Sequence, residues 1–431
     1  MADPVSIDIN EMLKNLSKAS PTPCICKVHK YLRQVNERAY DPQVVAIGPY
    51  HSGNIKDHLK AMEDQKVWFL HKLLEERDEA DVSRYVAKMR ELEERARSCY
   101  ADPISLNSDD FVKLLLLDAC FIVQLIRLGM NCSTRDHFSD LLETRPFSDG
   151  FFCPLSQDMF LLENQLPFFV LWELFVMIES ADHREGFMDK IVDMCHEMVP
   201  GKGRPKDDLN FMEMEINHLL DCTYQYCCHP STSEMEAHEE NRDFSFDWSS
   251  FTRCATELHE AGIKFQRIDG NTMFDIRFEN GSLHIPELVV GDDTEPILRN
   301  LIAFEQLFQS HKDVKHVANY MLFIDSLIDS AKDVEILCRN GIIKNLLGDD
   351  RAVATMINSL GDSVNCSGHF YYNEVCRKVN AHCSKRWNRR MANLKHNYFN
   401  SPWALISVLA ATLLLLLTVL QTVFSVLSYA K

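Results

Sequence analysis

The chain has 431 residues, 46% hydrophobic and 25% charged, with a formal net charge of −18. That is globular composition with room for a large core. Residues 375–431 hold eight Lys and Arg and no Asp or Glu, which leaves −26 on residues 1–374; so acidic a body repels polyphosphate, which argues against DNA or RNA as a partner.

Fifteen cysteines are an odd number, and the chain is too long for a disulfide-built scaffold. Many lie in apolar, helix-like runs, such as Cys120 in "LLLLDACFIV". Free, buried thiols in a reducing compartment are expected. The start, "MADPVSIDINEMLKNL", lacks the basic head and apolar stretch of a secretory signal.

In chain order, residues 1–20 read as an acidic tail, and "PTPCIC" opens an extended segment. "QVVAIGPYHSG" reads as a short strand ending in a Gly-Pro turn. A helix is predicted over 57–76, with Leu59, Met62, Phe69 and Leu73 on one face. Residues 80–99 form a charged helix of alternating sign, expected to be solvated. Residues 108–129 follow, capped by Ser108 or Asp109 and ended by Gly129. This helix is apolar nearly all round, so it belongs in the core. Residues 155–180 give one or two core helices broken at Pro167, and another helix is expected around 209–226. The polar stretch 229–247 reads as an acidic loop.

The pattern then changes to period two. Phe274, Ile276 and Phe278 alternate with Asp275, Arg277 and Glu279, and Asn280-Gly281 and Asp269-Gly270 supply turns. A small antiparallel meander over 263–289 is predicted. Thr294 and Pro296 begin a helix with the stripe Ile297, Leu301, Phe304 and Phe308, and helices continue to about 395. No internal repeat is visible.

Residues 403–429 carry no charge, have Trp403 and Tyr429 at their ends, and follow Pro402. As a helix they reach roughly 40 Å, beyond a hydrocarbon core of about 30 Å. A C-terminal transmembrane helix is therefore expected, with the lipid bilayer as a partner. The basic flank of Arg386, Arg389, Arg390 and Lys395 puts the body in the cytosol by the positive-inside rule. The expected location is a single-pass plasma or ER membrane protein. Its parts are a tail (1–20), a cytosolic domain (21–395), a juxtamembrane stretch (396–402) and the span (403–429). The predicted class is mainly α (α+β), a large helical body with a small β meander.

"LLENQLPFFVLWEL", residues 161–174, sets Glu163, Asn164 and Gln165 inside an apolar run. Pro167 has no N–H, so a helix through it loses a donor four residues earlier. The two amides are expected to satisfy carbonyls freed at that kink, and Glu163 to accept from N–H groups of the next helix. The functional reading groups His51, Asp118, Glu163 and Glu305 as candidate catalytic residues, since buried carboxylates of different helices can meet as an acid–base pair. Arg33 or Arg299 would instead make them a structural ion network.

"GPYHSG" joins the expected strand to a helix, and Gly48, Ser52 and Gly53 are candidate binding residues there for an anion. A plain turn is the competing reading, because no Gly-Lys-Ser/Thr follows. Cys222, Cys227, Cys228 and His229 have no standard zinc spacing, so no metal and no cofactor is expected.

Several blocks in order resemble the plant DUF247 family, also labelled UPF0481. They are "KYLRQVNERAYDPQVVAIGPYHSG", "LKAMEDQKVWFL", "LLLLDACFIVQLI", "FLLENQLPFFVL", "ATELHEAGIKF", "FDIRFENGSLHIPELVV", "DDTEPILRNLIAFEQ" and "YFNSPWALIS". The likeness runs from about Cys24 to Tyr429. Two departures are Val28-His29, where the family has Val-Pro, and His51-Ser52, where it often has a His pair. The resemblance implies a plant protein with one C-terminal membrane helix, and it does not imply an activity. The first expectation is thus a recognition module that binds a protein partner from the cytosolic face. The second is a membrane-tethered enzyme using His51, Glu163 and a partner carboxylate.

Overall fold

A computed structural model describes residues 23–54, 56–128, 152–179, 184–203, 214–228, 253–270, 272–308, 314–362, 364, 370–384 and 402–429, with a few isolated N-terminal positions. Helix α1, Lys60–Glu76, buries Met62, Phe69 and Leu73, the predicted stripe. Helix α2, Ser83–Ser98, is charged but not solvated all round. Tyr85, Met89, Leu92 and Ala96 recur every three or four residues and are buried. Helix α3, Ser108–Leu128, is buried on nearly every side. Asn107, one residue before the expected caps, accepts the Asp110 N–H at 2.9 Å. Gly129 lies outside the described residues.

Helix α4, Phe152–Asp158, and helix α5, Phe168–Ile178, are separate helices. Pro167 is the residue just before α5, with φ −57° and ψ 131°. Of the one or two core helices expected over 155–180, broken at Pro167, there are two, with an irregular turn between them. At a helix start the missing proline N–H costs nothing. Helix α3 packs against α1, α2, α5 and helix α6, Arg184–Met198.

The other half is built on helix α7, Leu219–Cys228, α8, Ala255–Glu260, and α9, Thr294–Phe308. Helix α9 packs against α7, against α10 (His316–Leu327) and, beyond intervening α11 (Ala331–Arg339), against α12 (Asp350–Gly361). It also meets the short turn Glu37–Tyr40, so the N-terminal segment closes onto both halves. The loop over 229–247 lies outside the described residues.

The sheet corrects the predicted antiparallel meander. Strands β1 (Lys264–Ile268), β2 (Arg277–Glu279) and β3 (Ser282–Pro286) lie in the order β1-β3-β2. β2 and β3 form the expected hairpin, with Asn280 at φ 51° and Gly281 at φ 78°. β1 runs parallel to β3, from Lys264 opposite Ser282 to Ile268 opposite Pro286. Asp269-Gly270 therefore does not join antiparallel neighbours. The most apolar strand, β3, takes the centre, where Leu283 and Ile285 are fully buried. A second pair, β4 (Leu288–Val290) and β5 (Ile343–Asn345), is also parallel.

The C-terminal segment forms a helix, Pro402–Tyr429. The expected transmembrane helix is not seen: among the described residues no helix is long and apolar enough to cross a membrane. Arg386, Arg389, Arg390 and Lys395 lie outside the described residues, as do the side chains of Trp403 and Tyr429.

Candidate functional site

The two polar motifs singled out in the sequence meet in space. Segment 43–48 was expected as a strand, but its N–H groups go to side chains instead of a ladder. The Asp158 carboxylate accepts from Gln43 at 2.9 Å, Val44 at 2.6 Å and Val45 at 2.8 Å. Asn164 Oδ1 accepts from Ile47 at 2.6 Å, and Asp118 accepts from Gly48 at 2.8 Å. Side chains of the central helices and of the turn after α4 thus take the place of a neighbouring strand.

The amides of the motif serve backbone carbonyls, as the sequence suggested, but those at the end of α4 and not at a kink at Pro167. Gln165 Nε2 donates to the carbonyls of Met159 and Leu161, both at 2.8 Å, and Asn164 Nδ2 to that of Asp158 at 2.8 Å. These are carbonyls left over where α4 ends. Asn164 Nδ2 also donates to Val45 at 3.0 Å, which ties the turn to the loop. Glu163 does not reach the start of α5. It accepts the Val28 N–H at 2.7 Å and pairs with Arg33 at 2.9 Å.

Arg33 also holds Asp41 at 2.6 Å, and Lys56 reaches Asp41 at 2.8 Å. Burial opposes the Arg33 charge, but Glu163 and Asp41 outweigh it and raise its pKa. His51 stands beside this network. Burial lowers its pKa although Glu163 and Asp41 pull the other way, so it is neutral near pH 7. Among the described residues its buried Nε2 has no hydrogen-bond partner.

Asp118 belongs to a different group. Lys66, only 2% exposed, donates to Asp118 at 2.6 Å, Glu63 at 2.7 Å and the Ala46 carbonyl at 2.5 Å. All three ammonium hydrogens are used. Burial works against that charge, but the two carboxylates outweigh it, and Lys66 stays protonated. Sequence reasoning missed Lys66, although it lies four residues after Met62 and three before Phe69, on the apolar stripe. Asp158 was also missed; its polar neighbours Ser156 and Gln157 gave no burial signal.

Glu305 is elsewhere again. It accepts from Tyr224 at 3.0 Å and from the first N–H groups of α10, Val317 at 2.9 Å and Ala318 at 2.8 Å. Burial still pushes its pKa up to about 7. Asp118, Glu163 and Glu305 therefore share no hydrogen-bond partner among the described residues. Of the four candidate catalytic groups, only His51 and Glu163 are brought together.

The candidate anion loop is mostly engaged. Gly48 faces the Gln165 carbonyl, and Ser52 Oγ donates to the Pro49 carbonyl at 2.9 Å. Gly53 is exposed. Cys222, Cys227 and Cys228 are buried on α7, and His229 lies outside the described residues. Among the described residues no group of three or more His, Cys, Asp or Glu is placed to hold a metal ion.

A cleft the sequence did not announce lies where α1, α3, α5 and α6 meet. It holds about 850 Å³ and is lined by Trp68, Phe69, Phe175 and Phe187, with Lys72, Lys190, Glu75 and Glu76 among its charged groups. Phe175 and Phe187 stack at 3.9 Å. Arg127 spans Glu76 at 2.7 Å and Glu179 at 2.6 Å, and Lys190 donates to the Arg127 carbonyl at 2.6 Å. These residues come from four helices, so no single stretch of sequence displays the cleft.

Comparison with known proteins agrees with the blocks read from the sequence. The chain is 29% identical to UPF0481 protein At3g47200 of Arabidopsis thaliana, over 94% of this chain and 87% of that one. It is 24% identical to the putative UPF0481 protein At3g02645 of the same plant, over 93% and 89%. No solved structure matches it. The sequence profile of DUF247, "Plant protein of unknown function", matches residues 25–417, and the chain belongs to that family.

Proposed function

We propose that the chain is a recognition module that binds a segment of a partner protein in the cleft between α1, α3, α5 and α6. The observation that carries this reading is the lining of the cleft. An aromatic floor of Trp68, Phe175 and Phe187 offers apolar contact area at low entropic cost, and charges of both signs stand around it. That suits an apolar side chain flanked by polar neighbours. The acids that an enzyme would need are spent elsewhere: Glu163 on Arg33 and Val28, Asp118 on Lys66 and Gly48, Glu305 on the start of α10.

The test places a photo-reactive residue at position 190, with the exposed Lys344 of β5 as the control position. A discrete cross-linked protein is expected from position 190 alone, and Trp68→Ala should abolish it. The same products from both positions, or persistence in Trp68→Ala, would sink the proposal. Glu163→Gln should leave the cross-link intact while lowering stability. Loss of the cross-link in a folded Glu163→Gln protein would favour the enzyme reading.

A further inference from the structure

Ile25 and Tyr100 form a parallel bridge between the N-terminal extended segment and the end of α2. Both side chains point inward and are buried. Their chain neighbours are Cys24 and Cys99, the latter the residue that closes α2, with φ −74° and ψ −18°. Both are partly exposed and free. The Cys99 carbonyl accepts the Cys24 N–H and the Ile25 N–H, each at 2.9 Å, which fixes the two backbones side by side. The Cys99 thiol donates to the Arg95 carbonyl at 3.4 Å, and the Cys24 and Cys99 thiols shift one another's pKa. A direct N–H to carbonyl bond between two residues holds their Cα atoms about 5–6 Å apart, inside the Cα separation that a disulfide bridges.

From this register and exposure we infer that Cys24 and Cys99 are a redox modification site that closes a disulfide when a small-molecule disulfide is the oxidant. The two thiols are not equivalent. Cys24 and the Arg95 charge lower the Cys99 pKa, while Cys99 and burial raise that of Cys24. Cys99 is therefore the readier of the two to ionise and attack. It attacks one sulfur of the oxidant, forms a mixed disulfide and expels one small thiolate. Cys24 loses its proton to solvent and attacks Cys99 Sγ, which expels the second. Two protein thiols are oxidised and one small disulfide is reduced to two thiols.

The link would matter because of what the N-terminal segment does. The Cys24 carbonyl accepts from His218 at 3.0 Å, and Val28 donates to Glu163. Closing the bond fixes the strand that covers the Glu163 clamp. The buried thiols Cys222 and Cys227 have no such access.

The test treats the intact reduced protein with oxidised glutathione, alkylates the remaining thiols and maps tryptic peptides without reduction. Peptide 19–27 should be joined to peptide 98–113. The melting temperature should rise by roughly 3 to 5 °C and fall back with dithiothreitol. Cys26→Ser should keep the link and Cys99→Ser should abolish both link and shift. A Cys24–Cys26 bond in place of this one would overturn the proposal. So would full alkylation of Cys24 and Cys99 under conditions that oxidise the unfolded chain.

Discussion

Gly48 has φ +70°, and a Cβ there would stand 2.6 Å from the Gln165 carbonyl oxygen. The left-handed backbone and the close approach both demand glycine. Gly48→Ala should cost about 2–4 kcal/mol in denaturant unfolding; a loss under ~0.5 kcal/mol would show that the approach is not tight. The candidate binding glycine thus has a structural reason. Glu305 gives a pH prediction. Burial raises its folded pKa to about 7 from an ordinary value of 4.5. The folded state then keeps a proton that the unfolded chain releases. Its contribution is full below about pH 4.5 and is lost as pH rises through about 7. Glu305→Gln mimics the protonated acid, so its stability relative to the parent should improve between pH 5 and 8, by at most roughly 2–3 kcal/mol. A stability gap that stays flat over that range would refute the assignment. Glu163, Asn164 and Gln165 stood out in the sequence because polar groups in an apolar run must have partners. Which partners they take was not legible, since Val28, Arg33 and Val45 are more than a hundred residues away.

At the scale of elements, helices were legible wherever a stripe of period 3.6 met a turn signal. α1, α3 and α9 end within a few residues of their predicted limits. Segment 43–48 was not. Its alternation looks like a strand, but its donors are taken by Asp158, Asn164 and Asp118. Asp158→Ala should leave three N–H groups without an acceptor and make this loop the first site of limited proteolysis; cleavage elsewhere first would contradict that role. The β hairpin was legible because Asn280-Gly281 encodes a local turn. The parallel pairing of β1 with β3 was not, because a two-residue signal cannot specify a neighbour reached by a crossover. The C-terminal segment shows the same limit. Its helix was legible from composition, but the span expected from it is not found among the described residues.

Across the whole molecule, one side chain ties the halves together. Asn300 on α9 accepts the Leu162 N–H and donates to the Ala39 carbonyl, each at 2.8 Å. Asn300→Ala should therefore lower global stability by about 2–4 kcal/mol. Hydrogen exchange should speed up at Leu162 and Ile47 together, although the latter is outside direct contact. Faster exchange at Leu162 alone would mean that the turn and the loop are not one unit. The sequence by itself determined the helical class, the family, the hairpin turn and the need for buried polar partners. Those follow from local periodicity, from turn chemistry and from the cost of an unpaired polar group. Tertiary structure alone decided that Asp118, Glu163 and Glu305 stay apart, that Lys66 and Asp158 are clamps, that Cys24 faces Cys99, and that four helices enclose a cleft. Each of these depends on which distant segments the fold makes neighbours, and no periodicity along the chain records that.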